Sequence, residues 1–569
     1  MSGAPTRLTA LFGGLVWMAA CTSPPPPAVP VVVDEPPPPV AAVSREARPM
    51  SVPDAPARCP SMMARATPAG VQITAAEPVA QGAAHPIDPT SKRVAGAALA
   101  EHCRIVGRLL AESDAGAAPA VEFEMRLPSH WNGRFFHQGS FALRPSAVEA
   151  FGRTAGAGGL EDNALSQGYA VLASDAGRRP GTVPAAVADG TEAERSLVRL
   201  AAAAQALIGD YYGRPADRSY FVGCSEGGRE GLLFAQRWPQ TFDGIVAVAP
   251  LLRETDAALA AAWTLQRFTA VAPAARPHPR VLARAFSVEE LFVVADAILK
   301  QCDAVDGVAD GFVMDMAGCR FDPAVLQCRR RGDKACLPGH KAQALAEAMG
   351  GPKDAAGRAL YASWPWDPGI AAPGWRAWTL GSAGPGAAPN PQLLAWASAL
   401  AGREPAGRPR VGPGAFAFDF GRELPSLQAS RDADAAFMDA GLDGFRQRGG
   451  KLILVHGAAD PVVSAWVTVD LQQRLDAADA RAGASGAAGV ARTFIVPGMN
   501  HCAGGPSLDR FDALTALVEW VEQERPPLRI EARGSAVLRE ESRPLCPWPQ
   551  VARYRGTGSI HDAASHECR

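Results

Sequence analysis

Charge of one sign is what this sequence most plainly lacks. Its 56 lysines and arginines almost cancel 58 aspartates and glutamates, leaving a net charge of -2 without a basic block. Binding to a phosphate backbone needs a concentrated cationic face, so nucleic acid is excluded as a partner. The short run Arg329, Arg330 and Arg331 reads as solvated surface or local ion pairing. No Cys-x-x-Cys spacing is present, which argues against a zinc site. The apolar stretch at 8–20 falls short of the roughly 20 residues that a membrane-spanning helix needs.

What is present is a chain of 569 residues, 47% apolar, enough to bury a large core over two to four domains. Arg7 followed by the apolar stretch fits a signal peptide over residues 1–20. Met18-Ala19-Ala20-Cys21 is similar to the bacterial lipobox, in which the cysteine is lipidated and becomes the first mature residue. Lipidation of Cys21 would leave a membrane-tethered protein; cleavage near Ala20 with release of a secreted or periplasmic one is the alternative. Proline runs at 24–27 and 36–39 make residues 21–57 a stiff, extended tether. Export implies an oxidising compartment. Eleven cysteines are present, and removing Cys21 leaves ten, an even number that can pair completely.

The chemistry centres on Tyr220-Phe221-Val222-Gly223-Cys224-Ser225-Glu226-Gly227-Gly228, an apolar run that ends in Gly-x-Ser-x-Gly before a helical pattern. A serine hydroxyl acts as a nucleophile when a sharp strand-to-helix turn exposes it, and the glycines let neighbouring backbones crowd that turn. Ser225 is the candidate nucleophile. The amide of Glu226 and that of Gly139 or Ser140, on the loop after an earlier strand, are the candidate oxyanion donors; a simple turn at Gly139 is the bland reading.

Strands at 105–110, 121–127, 169–175 and 244–248 and a helix over 192–212 surround the elbow. Strands alternating with helices imply a parallel sheet covered on both faces. Regular alternation stops at about 251 and resumes near 444. The chain therefore divides into a first core part over 58–250, an inserted lid over 251–443 and a second core part over 444–569. The lid's Trp364, Trp366, Trp375, Trp378, Trp396, Phe416, Phe418 and Phe420 read as core, some of them lining an aromatic pocket.

Two later strands break into loops carrying an acid and a base, Val455-His456-Gly457-Ala458-Ala459-Asp460 and Phe494-Ile495-Val496-Pro497-Gly498-Met499-Asn500-His501-Cys502. The order Ser225, Asp460, His501 is that of an α/β-hydrolase triad, in which the acid orients the base and the base takes the serine proton. Cys224 precedes the nucleophile and Cys502 follows the base, so a converged triad would bring these sulfurs within bridging reach; pairing elsewhere is the alternative.

Gly223-Cys224-Ser225-Glu226-Gly227-Gly228, the Asp460 loop and the His501-Cys502 pair resemble the tannase and feruloyl esterase family, which includes mono(2-hydroxyethyl) terephthalate hydrolases. The resemblance runs from about Cys59 through Arg543-Pro544-Leu545-Cys546-Pro547. It implies an α/β-hydrolase fold with a large inserted lid, and a Ser225, Asp460, His501 triad. It also implies the disulfides Cys224–Cys502, Cys59–Cys103, Cys302–Cys319, Cys328–Cys336 and Cys546–Cys568. The segment from Cys302 to Phe312 is similar to the family's structural calcium loop, which implies side chains of Asp303, Asp306 and Asp310 and carbonyls of Val308 and Phe312 as hard oxygen ligands. No organic cofactor is implied. The expected activity is hydrolysis of small esters of hydroxycinnamic or hydroxybenzoic acids through an acyl-serine. A terephthalate monoester hydrolase and a non-catalytic envelope lipoprotein binding aromatic ligands are the alternatives.

Overall fold

Short apolar runs bounded by turns dominate the first half of the chain, and they assemble into one sheet in the computed structural model. It describes residues 46–569 except 66, 83–98, 111–120, 140–148, 153–162, 177–189, 274–278, 331–334, 382–392, 395, 398–413, 440, 485–488 and 535–537. The signal peptide, Cys21, the tether up to residue 45 and Ser140 therefore lie outside the described residues.

Among the described residues the sheet has nine strands: β1 (Val71–Val79), β2 (His102–Leu109), β3 (Val121–Pro128), β4 (Arg134–Gln138), β5 (Ala170–Ser174), β6 (Arg218–Cys224), β7 (Gly244–Val248), β8 (Lys451–Gly457) and β9 (Ala491–Val496). Their spatial order is β9-β8-β7-β6-β4-β5-β3-β2-β1. Strands β4 to β9 pair in parallel, and β1 to β3 add an antiparallel flank. The sheet is thus mixed and mostly parallel.

Crossover helices explain much of the parallel part, because each returns the chain to the end of the sheet from which the previous strand started. Helix α1 (Gly190–Tyr212) precedes β6, and α2 (Glu226–Arg237) joins β6 to β7. The inserted region follows β7 and contains α3 (Glu254–Val271), α4 (Val288–Cys302), α5 (Gly339–Met349) and α6 (Pro373–Thr379). After β8 come α7 (Ala465–Arg481) and, past β9, α8 (Ala513–Gln523). Alternate residues of the central strands face opposite cores. Phe221 and Ile245 join Leu232, Phe234 and Phe242 on one side, while Tyr220 and Val246 join Leu517 and Trp520 of α8 on the other. Helix α3 is Ala-rich and buried almost all round, as a helix at the centre of an insertion should be. Among the described residues, no helix is long and apolar enough to cross a membrane.

One expected pattern changes. The alternation read over 121–127 suggests a half-buried strand, yet β3 is buried after Glu122 almost without a break. Glu124 and Arg126 face inward because the segment at 149–152 covers them. Arg126 Nε donates to Glu124 at 2.7 Å, Ala150 N donates to Glu124 at 3.1 Å, and the guanidinium lies over the Phe151 ring at 4.0 Å. Charge on an apparent solvent face is buried here because it is paired.

Candidate active site

The turn between β6 and α2 holds Ser225 at φ 62°, ψ -117°, a left-handed backbone that an L-residue adopts only when the surroundings impose it. Three glycines impose it. A Cβ on Gly223 would stand 2.4 Å from the Gly227 carbonyl oxygen, and one on Gly139 would stand 2.9 Å from Gly223 Cα. The Ser225 N–H donates to Val248 O at 2.9 Å, and Leu251 N donates to Ser225 O at 3.0 Å, so the end of β7 braces the elbow. Ser225 stays half-buried, as an accessible nucleophile requires, between buried Cys224 and half-buried Glu226. Glu226 begins α2, whose positive dipole end faces the turn.

Gly139 serves differently from the expectation. Its N–H donates to Val222 O at 2.8 Å, so this amide is spent inside the sheet rather than on an oxyanion. The missing side chain is what lets the β4 loop approach the elbow.

Asp460 follows β8 in a tight turn and is 1% exposed. Its Oδ1 accepts from Val462 N at 2.7 Å and Val463 N at 3.1 Å, so the two valines hold the acid through their backbone. Its Oδ2 lies 2.7 Å from His501 Nδ1. Burial pushes this carboxyl up, but the neighbouring His501, with hydrogen bonds from His456 and His501, holds it well below the usual carboxylate range. Ionised, Asp460 can only accept, so His501 Nδ1 carries the proton and Nε2 is left as the basic nitrogen.

The base loop is fastened to the nucleophile by a covalent bond. Cys224 and Cys502 form a disulfide with Cα atoms 5.9 Å apart. The four other pairs are also formed: Cys59–Cys103, Cys302–Cys319, Cys328–Cys336 and Cys546–Cys568. Five disulfides mark an exported protein.

Of the lid aromatics, Trp378 of α6 meets the His501 ring edge to face at 5.2 Å, whereas Trp375 is buried against Phe268. Phe418 and Phe420 pack on each other.

Sequence reasoning missed three buried polar residues beside this site. His456 is fully buried; its Nε2 is 3.0 Å from Val463 O and 3.4 Å from Asp460 Oδ2, and its Nδ1 is 2.7 Å from Thr468 Oγ1. A carbonyl can only accept, so Nε2 carries the proton and the ring backs the acid as a donor. Asp367 and Asn500, each 2% exposed, join the inserted region to the base loop. The only signal available was polarity within otherwise apolar strand ends and turns.

Asp303, Asp306 and Asp310 lie on one loop stapled by Cys302–Cys319. Their carboxylates accept from the amides of Asp310, Gly311, Val308, Met314 and Phe312 at 2.9–3.2 Å, and Asp310 also accepts from buried Arg543 at 2.7 Å. Burial pushes Asp306 up to about 7, and the charges of Asp310 and Asp303 add to that. Hard oxygen donors whose negative charges strain one another fit a divalent cation such as calcium in chemistry. Among the described residues, no group of three or more His, Cys, Asp or Glu is placed so that it could hold a metal ion.

A family profile described as Tannase and feruloyl esterase matches residues 103–569. The chain is 37% identical over 532 residues to a mono(2-hydroxyethyl) terephthalate hydrolase of Piscinibacter sakaiensis, covering 84% of this chain and 87% of that one. A probable feruloyl esterase of Arthroderma benhamiae is 29% identical over 480 residues, covering 79% and 82%. In three dimensions, feruloyl esterase B from Aspergillus oryzae superposes with a TM-score of 0.71 at 21% identity, covering 90% of this chain and all of that one.

Proposed function

The chain belongs to the tannase and feruloyl esterase family of carboxylic ester hydrolases, and from that premise we propose that it hydrolyses esters of aromatic acids through an acyl-serine intermediate. Ser225 Oγ attacks the ester carbonyl while His501 Nε2 takes its proton. The tetrahedral oxyanion is held by the Glu226 amide and a donor from the loop after β4, where Ser140 is the candidate. The intermediate collapses, the acyl–oxygen bond breaks, and His501 returns the proton to the leaving alcohol. Water then repeats the sequence, freeing the acid and restoring the serine.

The observation that carries this reading is the His501–Asp460 bond of 2.7 Å on a loop disulfide-linked to the residue before Ser225. Trp378 against His501 supplies an apolar aromatic edge where an aromatic acyl group would stand. Hydroxycinnamic and hydroxybenzoic esters are the preferred substrates. A terephthalate monoester is the second reading, supported by the name of the Piscinibacter sakaiensis relative.

The test is turnover of methyl ferulate, methyl gallate and mono(2-hydroxyethyl) terephthalate by the wild type and by Ser225→Ala. A loss of about 10³-fold or more in kcat is expected, and equal rates would remove Ser225 from the mechanism. The relative kcat/KM values assign the acyl group. We further propose that the loop at 303–312 holds a structural calcium ion through Asp303, Asp306, Asp310 and the carbonyls of Val308 and Phe312, and that Cys21 carries a lipid anchor.

A further inference from the structure

We propose that Asp367 and Asn500 are positioning residues for His501, a pair of buried side chains that clamp the inserted segment 367–378 onto the loop carrying the base. The inference rests on the serine-hydrolase reading above and adds to it: the insertion would then hold the base in register as well as cover the cleft.

Asn500 immediately precedes His501 and uses its amide in three directions. Its Nδ2 donates to Gly369 O at 3.3 Å and to Ala459 O at 3.2 Å, and its Oδ1 accepts from Trp375 N at 3.1 Å. One side chain thus ties the base loop to the inserted turn, to the first turn of α6 and to the residue before Asp460. Helix α6 in turn places Trp378 against the His501 ring.

Asp367 closes the other end. Its Oδ1 accepts from Gly369 N at 2.7 Å and its Oδ2 from Gly498 N at 3.0 Å. Both partners are donors, so only an acceptor on each oxygen satisfies them, and an asparagine would set its own N–H₂ against one of these amides. Among the described residues no cation faces this carboxyl, and burial pushes it up to about 6. A fully buried carboxyl without a counter-ion is costly, and its two amide partners are the contacts it serves. The surfaces fit closely as well. A Cβ on Gly369 would stand 2.4 Å from Ala459 Cβ and 2.7 Å from Gly498 O.

A clamp of this kind acts on the geometry of proton transfer, so its loss lowers kcat with little change in KM. The experiment measures kcat, KM and the melting temperature of the full-length enzyme on methyl ferulate or methyl gallate, whichever ester the wild type turns over and Ser225→Ala does not. That comparison tests the hydrolase reading separately. Asp367→Asn and Asn500→Asp are each expected to lower kcat by about tenfold to a hundredfold, since misplacements near 1 Å have effects of that size, with KM within about threefold. Gly369→Ala alters no polar group and pushes the segment off the loop, so it is expected to reproduce the kcat loss even where the polar variants fold poorly. Ser287→Ala, which removes the cap of α4, is the stability control and is expected to leave kcat within about twofold. Folded variants with wild-type kcat, or a rise in KM at unchanged kcat, would overturn the proposal.

Discussion

Removing the bond between Cys224 and Cys502 separates its mechanical role from its thermodynamic one. The perturbation is the double change Cys224→Ser with Cys502→Ser, compared with Cys328→Ser with Cys336→Ser as a control elsewhere in the molecule. The first pair closes 278 residues and the second closes 8. Loop-closure entropy grows as the logarithm of loop length, so the chain-entropy contributions are roughly 5–6 and 2–3 kcal/mol. The catalytic pair should therefore cost about 3 kcal/mol more than the control in urea unfolding. Activity should separate the two variants further. Ser225 and Cys502 hold positive-φ backbones with φ of 62° and 68°, and the bond ties the glycine-braced elbow to the loop that carries the base. Once it is gone, the base loop is free to shift relative to the elbow, and kcat on the aryl ester should fall by about a hundredfold. The control should keep kcat within about twofold. Equal stability losses in the two variants, or a catalytic pair that unfolds earlier yet keeps full kcat below its transition, would refute the reasoning.

Acid titration should expose His137, which is fully buried among Phe135, Phe221, Phe234 and Phe242 and whose Nδ1 has no hydrogen-bond partner among the described residues. Burial pushes its pKa down to about 3. Below pH 6.5 the unfolded chain binds a proton that the folded one refuses, so stability present above pH 6.5 is lost toward pH 3, roughly 5 kcal/mol in all. His137→Phe should flatten much of that slope in urea titrations between these limits, leaving the share of His102, which burial lowers to about 4; an unchanged slope would assign the acid sensitivity to other groups. Calcium added to chelator-treated enzyme should raise the melting temperature, by the equivalent of about 2.7 kcal/mol at a hundredfold excess over Kd, and Asp306→Asn should abolish the shift; a wild type indifferent to calcium would rule out an ion at 303–312.

Much of the site was legible in the chain because its chemistry is local. Gly-Cys-Ser-Glu-Gly after an apolar run specifies a tight strand-to-helix turn, since only glycine tolerates the close approach at Gly223. An acid and a histidine at the ends of two later apolar runs are readable for the same reason. The family resemblance added the cysteine pairing, and all five bonds are formed. Gly139 shows where such reading stops. Whether its amide is offered to a ligand or spent on Val222 depends on the spacing between two strands, which no local pattern carries.

The sequence alone determined which residues could do chemistry, because turn-forming glycines, strand periodicity and side-chain type are properties of neighbours along the chain. Tertiary structure alone decided what holds them. Asp367 meets Gly498 across 131 positions, Asn500 meets Gly369 across the same distance, and Glu522 of α8 binds Tyr220 of the elbow strand across 302. A buried polar group is satisfied by whatever donor or acceptor the fold brings opposite it, and that partner is set by packing rather than by position in the chain.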